Sequence, residues 1–212
     1  MIENCRAAFS AAMAAGHGIE LDVQSSSDGE AMVFHDQDLE RLTGEKGRVA
    51  DRSAAELQAI ALAGSSETIP TLLDIVRLVD SRVPILIEVK APGRGVGPLC
   101  ASVLRAVRDY PGFMAVMSFN PEVGRWFWRH GRGITRGLVV TERGRVRSPL
   151  LRRLSLWRAR PHFLAYDVRD LPSAFARAQR ERGLPVLTWT VRGASQRDVA
   201  QAEADQIIYE DL

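Results

Sequence analysis

Gly16-His17-Gly18-Ile19-Glu20-Leu21-Asp22-Val23-Gln24, the turn Ser25-Ser26-Ser27-Asp28-Gly29-Glu30, and Ala31-Met32-Val33-Phe34-His35-Asp36 form the stretch from which the rest of the chain is read. Side chains alternate faces along a strand, so Glu20 and Asp22 share one face while Ile19, Leu21 and Val23 take the other. Two carboxylates on a strand packed between dry layers are very costly unless something compensates them, and a cation would do so. The serine-rich segment ending in Asp28-Gly29 reads as a turn, with Gly29 free to take positive φ. Ala31 to Phe34 resumes extended structure, and His35 ends that second strand beside Asp36.

A second constellation lies further along, Val83-Pro84-Ile85-Leu86-Ile87-Glu88-Val89-Lys90. It reads as a buried strand with a polar tip, in which Glu88 and Lys90 share a face opposite Ile85, Ile87 and Val89. The candidate site is therefore Glu20, Asp22, His35, Glu88 and Lys90. Spacing alone leaves Glu20 and Asp22 open between a metal site and a solvated acidic strand end. Lys46 and Lys90 are the only lysines in a chain whose positive charge is otherwise arginine. At Lys90 a compact ammonium fits a phosphate contact, and equally a lysine paired with acids.

The chain has 212 residues, 46% of them hydrophobic, and a formal net charge of +2. Those values describe a globular protein with a sizeable core rather than a disordered or highly charged one. Cys5 and Cys100 are too few for a disulfide framework and form no zinc-ligand spacing, which fits a reducing compartment. No apolar run is long enough to cross a bilayer, and the first residues lack the basic and apolar blocks of a signal peptide, so a cytoplasmic protein is expected.

Residues 2–15 are alanine-rich with Phe9 and Met13 at helical spacing, and Asn4 is placed to act as N-cap. Residues 36–70 are polar and turn-rich, with a capping-box pattern at Ser53 and Glu56. From Ile69 onward the pattern alternates: helix 71–80, strand 83–90, helix 96–109, strand 113–119, helix 121–130, strand 134–140, helix 148–158, strand 163–167, helix 171–182, strand 185–191, helix 195–203 and strand 206–209. Such alternation makes a parallel sheet, and the count favours a (β/α)8 barrel over an open sheet, with an eighth strand expected ahead of the helix at residue 4. No glycine-rich phosphate fingerprint follows an early strand, which weighs against a dinucleotide-binding domain.

Glu20-Leu21-Asp22-Val23, Asp28-Gly29, Phe34-His35-Asp36, Leu39-Glu40-Arg41-Leu42-Thr43-Gly44, Ile69-Pro70-Thr71-Leu72 and Ile87-Glu88-Val89-Lys90, in that order, resemble the glycerophosphodiester phosphodiesterase family. Ser118-Phe119-Asn120, Thr188-Trp189-Thr190-Val191, Ala204-Asp205-Gln206-Ile207-Ile208 and Glu3-Asn4 extend the likeness over essentially the whole chain. The resemblance implies one TIM barrel domain over 1–212, with a small insertion at 36–70. It further implies metal-dependent hydrolysis of a glycerophosphodiester to an alcohol and sn-glycerol 3-phosphate. By the same resemblance Glu20, Asp22 and Glu88 are ligands of a divalent cation, His35 the general acid/base and Lys90 a phosphate contact, with Phe119 and Trp189 touching the substrate. Three carboxylates without a Cys/His cluster favour a hard ion, Mg²⁺ or Ca²⁺. The family's His-Arg-Gly triplet at the end of its first strand has no counterpart here. The expectation is thus a barrel without its first strand, and the alternative function is a member that binds glycerophosphodiesters or anionic lipid without turnover.

The arginine-rich segment 143–160 carries Arg143, Arg145, Arg147, Arg152, Arg153, Arg158 and Arg160. Leu150, Leu151, Leu154 and Trp157 fall at helical spacing within it, so the expectation is an outer helix with its apolar side inward and a solvated basic face. Peripheral contact with an anionic membrane through 143–160 is the rival reading. A nucleic-acid partner is not expected, since only one such cluster exists.

Overall fold

The computed structural model describes residues 2–143 and 148–210; Arg145 and Arg147 lie outside the described residues. The chain divides into two compact units, Met1–Val116 and Met117–Leu212.

In the first unit, helix α1 (Arg6–Ala14) precedes strand β1 (Ile19–Ser25) and strand β2 (Ala31–Val33). Helices α2 (Glu40–Thr43), α3 (Ala54–Gln58) and α4 (Leu72–Val79) follow, then strand β3 (Ile85–Val89) and helix α5 (Gly97–Val107). β1 is the middle strand of the three: β2 pairs with it antiparallel and β3 parallel, in a register that sets Asp22 beside Glu88. The tight β1–β2 reversal uses Gly29 at φ +84°, a value open to glycine without steric penalty. Leu21, Val23, Ile87 and Val89 are fully buried, as the alternation expects.

Residues 36–70 build a small layer of their own. Leu39, Val49, Leu57, Ile60, Leu62 and Ile69 pack with Met32 and Phe34 in one apolar cluster. Ser53 and Glu56 close the expected capping box on α3, and Thr71 and Asp74 close another on α4. The start of the chain departs from expectation. α1 begins at Arg6 with Cys5 as its N-cap, whereas Asn4 sits at φ 56° and turns its carboxamide toward β1. Asparagine tolerates that left-handed conformation better than most residues, so the helix is shortened to free a polar side chain.

Strand β4 (Met114–Ser118) carries the chain into the second unit. There α6 (Pro121–His130), β5 (Thr135–Val140), α7 (Pro149–Ala159), β6 (Phe163–Asp167), α8 (Ala174–Arg180), β7 (Val186–Val191), α9 (Ala194–Glu203) and β8 (Gln206–Tyr209) alternate. β5 to β8 lie side by side in parallel, in chain order. The helix expected at 171–182 starts later, because a 3₁₀ turn at Val168–Asp170 intervenes and Ser173 caps α8.

α7 is the main correction. Leu150, Leu151, Leu154 and Trp157 were expected inward and are exposed, while Arg152 is 5% exposed. Arg152 reaches Glu142 at 3.3 Å and lies over the Phe175 ring at 5.0 Å. Removing that guanidinium from water is tolerable only with such a partner, and its place on the inner side turns the leucines out. Among the described residues no helix is long and apolar enough to cross a membrane.

α6 and α7 approach closely at Gly124, where an added Cβ would stand 2.8 Å from the Ala159 carbonyl oxygen and 2.9 Å from its Cβ. Backbone on the far side cannot yield cheaply. Gly124→Ala should therefore lower stability by about 1–3 kcal/mol, the usual effect of overpacking, read as a shift of the urea midpoint at unchanged slope.

Candidate metal centre

Glu20 and Asp22 on β1 and Glu88 on β3 converge because the parallel register places Asp22 and Glu88 side by side and the period of two puts Glu20 on the same face. Each offers an oxygen, and the three atoms lie within 4.8 Å of one another; Asp22 and Glu88 are buried. Lys90, just beyond β3, approaches Asp22 Oδ1 at 2.9 Å and Glu88 Oε1 at 2.8 Å. Burial raises the Glu88 carboxyl above its ordinary range, against the opposing pull of Lys90, and Asp22 adds to the rise. Burial alone would depress the Lys90 ammonium, but the two carboxylates outweigh it and its pKa is raised.

Three carboxylates converge here, and Lys90 forms ion pairs with two of them, Asp22 and Glu88. The buried Oε1 of Glu88 makes no aligned hydrogen bond, its contact with Lys90 being an ion pair. A convergent cluster of carboxylate oxygens, two of its residues buried, fits a hard divalent cation.

His35 follows β2 and is held from two directions. Gln24, buried on β1, donates from Nε2 to the His35 carbonyl oxygen at 2.9 Å. The His35 Nδ1 stands 2.6 Å from Asp36 Oδ1. An ionised carboxylate only accepts, so Nδ1 carries the proton and Nε2 is left to exchange one. Hydrogen bonds from Arg41 hold Asp36 at a pKa of about 2, with His35 contributing less. Arg41 Nε donates to Asp36 Oδ2 at 2.5 Å, and the same guanidinium bonds Glu3. His35 is also near enough to Glu88 to favour its charged form.

Asn4 completes the arrangement from the start of the chain. Its Nδ2 donates to Asp22 Oδ2 at 3.0 Å, and its Oδ1 accepts the Asp22 backbone N–H at 3.1 Å. A β1 amide not used by a strand is thus satisfied by a side chain, and the candidate ligand is fixed in the same contact.

The structure therefore brings together Glu20, Asp22, His35, Glu88 and Lys90. Phe119 and Trp189 meet each other in the second unit, edge to face with centroids 5.5 Å apart, and Trp189 Nε1 donates to the Ala165 carbonyl at 2.9 Å. Sequence reasoning missed Asn4, Gln24 and Arg41 as holders of the site, and noted Asp36 only as the neighbour of His35. Of the three, Gln24 carried a signal, since it continues the Glu20 and Asp22 face by the period of two.

Residues 1–212 match the model of the glycerophosphoryl diester phosphodiesterase family. Among curated proteins, the chain is similar to a glycerophosphodiester phosphodiesterase of Caldanaerobacter subterraneus subsp. tengcongensis, 34% identical over 117 residues, which are 51% of this chain and 48% of that protein. It is also similar to one of Bacillus altitudinis, 38% identical over 95 residues, 42% of this chain and 39% of that protein. The chain thus spans less than half the length of these curated relatives in the matched part. Among solved structures, a glycerophosphodiester phosphodiesterase of Thermotoga maritima superposes with a TM-score of 0.80 at 25% identity, covering 99% of this chain and 88% of that one. A phosphodiesterase of Oleispira antarctica, solved with the product sn-glycerol-3-phosphate, shares the fold with a TM-score of 0.85 at 22% identity, covering 98% and 87%. With a family match over its whole length and a carboxylate cluster on its paired strands, the chain belongs to the glycerophosphoryl diester phosphodiesterase family.

Proposed function

We propose that this chain is a metal-dependent phosphodiesterase that cleaves a glycerophosphodiester to an alcohol and sn-glycerol 3-phosphate. The observation that carries the reading is the Glu20, Asp22 and Glu88 cluster, in which one oxygen from each carboxylate lies within 4.8 Å of the others. The product named for the Oleispira antarctica relative agrees with it. Strand and helix alternation supports the (β/α)8 class, and the small layer at 36–70 supports the insertion within one catalytic domain.

In this reading Glu20, Asp22 and Glu88 hold Mg²⁺ or Ca²⁺, which when bound supplies Lewis-acid stabilisation of charge on phosphoryl oxygens. Lys90 offers a second fixed positive charge to the phosphate, as a point charge rather than a bidentate clamp. His35 moves a proton at the alcohol oxygen through Nε2, because Asp36 engages Nδ1 and Arg41 keeps Asp36 ionised. Asn4 and Gln24 are positioning residues, one for Asp22 and one for the His35 backbone.

One observation favours a second reading, a family member that binds the diester with little turnover. His35 is the histidine whose charge reaches Glu88 of the carboxylate cluster, and a displacement gains from acid and base on opposite sides. Calorimetric binding of glycerophosphocholine without release of glycerol phosphate would select it.

For the catalytic reading, exhaustive chelation should abolish release of sn-glycerol 3-phosphate, with Mg²⁺ or Ca²⁺ restoring it, and Glu88→Ala should behave as the chelated enzyme does. Full activity after chelation would remove the metal from the mechanism.

His35→Ala should lower kcat by about a hundredfold to ten-thousandfold while leaving metal affinity nearly unchanged. Asp36→Asn should lower kcat in the same direction and shift the acid limb of the pH–rate profile. An unaltered profile in Asp36→Asn would leave that carboxylate without a part in the proton transfer.

A further inference from the structure

The outward side of α7 has no use in the chemistry above. Leu150, Leu154 and Trp157 recur at i, i+4 and i+7, so they form one ridge along the helix, and they are 74%, 54% and 66% exposed, with Leu151 beside them. Single exposed leucines are ordinary, but a contiguous ridge of large apolar side chains marks an interaction surface. The ridge is not a core face displaced from its place. The inner side of the helix is occupied by Arg152, Leu156 and Ala159, which pack on the unit's own core.

The second observation is positive charge without acid. Trp128, Arg129, Arg132, Gly133 and Arg136 line a cleft of about 460 Å³. Arg160, at the C-terminal end of α7, lies with its guanidinium 4.0 Å from the Trp128 ring centroid and so joins the helix to the cleft wall. Several other arginines of this unit find carboxylates: Arg143 pairs with Asp170, Arg158 with Glu122, Arg177 with Glu203 and Arg180 with Asp205. Among the described residues Arg129, Arg132, Arg136, Arg153 and Arg160 have no such ion pair, and the buried Nε of Arg136 has no hydrogen-bond partner. Several guanidiniums left uncompensated around one cleft are stabilised by anionic groups brought from outside.

We propose that the α7 ridge and the arginine-lined cleft together form a docking surface for a bilayer containing anionic phospholipids, the leucines and Trp157 entering the interface while the guanidiniums take lipid phosphates. An amphipathic helix lying in the interfacial plane binds by buried apolar area together with attraction to anionic lipid, and tryptophan favours that boundary. A second copy of the chain fits less well, because a two-fold contact on this surface would bring the uncompensated arginines of both copies together. A nucleic acid would satisfy the arginines and leave the ridge in water.

The test is sedimentation of the full chain with vesicles of phosphatidylcholine, with and without phosphatidylglycerol. The chain should pellet with the anionic vesicles only, and the Trp157 emission should move to shorter wavelength. Leu154→Asp with Trp157→Asp should weaken partitioning at least about tenfold, and Arg129→Ser and Arg132→Ser by about fivefold each, the usual effect of one basic residue at an anionic surface. These side chains are exposed, so unchanged circular dichroism and melting will separate lost docking from lost folding. No pelleting with anionic vesicles, or pelleting that the ridge variants leave intact, would overturn the proposal. So would a dimer, seen by sedimentation equilibrium, that Leu154→Asp dissolves without any vesicle binding.

Discussion

The register between β1 and β3 is the constraint on which the site rests. Setting Asp22 beside Glu88 on two paired, buried strands concentrates negative charge where water is scarce, and neighbouring features of the first unit meet the consequences. Lys90 arrives one residue beyond the strand to offset part of the charge. Asn4 gives up a helical position to hold Asp22. A slip of one residue would reverse every face of the strand, sending Glu20 and Asp22 into the apolar layer and Leu21 out of it. The buried leucines and valines therefore hold the carboxylates in place as firmly as any polar contact does.

Much of this was legible in the sequence because strands declare their faces. Period-two alternation put Glu20 with Asp22 and Glu88 with Lys90 from separate parts of the chain, and the order of the motifs resembled a known family. The positioning residues were less legible. Asn4, Asp36 and Arg41 lie in turns and short helices, where no periodicity connects them, and only the folded chain shows that an arginine at 41 keeps an aspartate at 36 charged. The helix at 149–159 failed for a different reason. Helical spacing reveals that Leu150, Leu154 and Trp157 share a side, but not whether that side faces the core. One arginine with a carboxylate waiting inside, Arg152 with Glu142, settled the orientation.

Arginine serves two different ends in this chain. Around the candidate site, Arg41 is spent on internal geometry, bridging Asp36 and Glu3. Around α6 and α7, guanidiniums without acids crowd a cleft and flank an apolar ridge. A near-neutral total charge conceals that separation, which is why composition alone gave little hint of a surface with its own affinity.

The turn before α1 has a further consequence. Glu3 reaches Arg41, which holds Asp36 against His35, and the next residue, Asn4, holds Asp22. Two adjacent residues thus brace the His35 side and the Asp22 side of the candidate site. Helix ends and their approaches are where local opening begins, and here one fraying event would loosen both sides together. The geometry of the candidate site would then follow the protection of a few amides near residue 4 rather than the global stability of the strands, so the site can be lost while the fold persists.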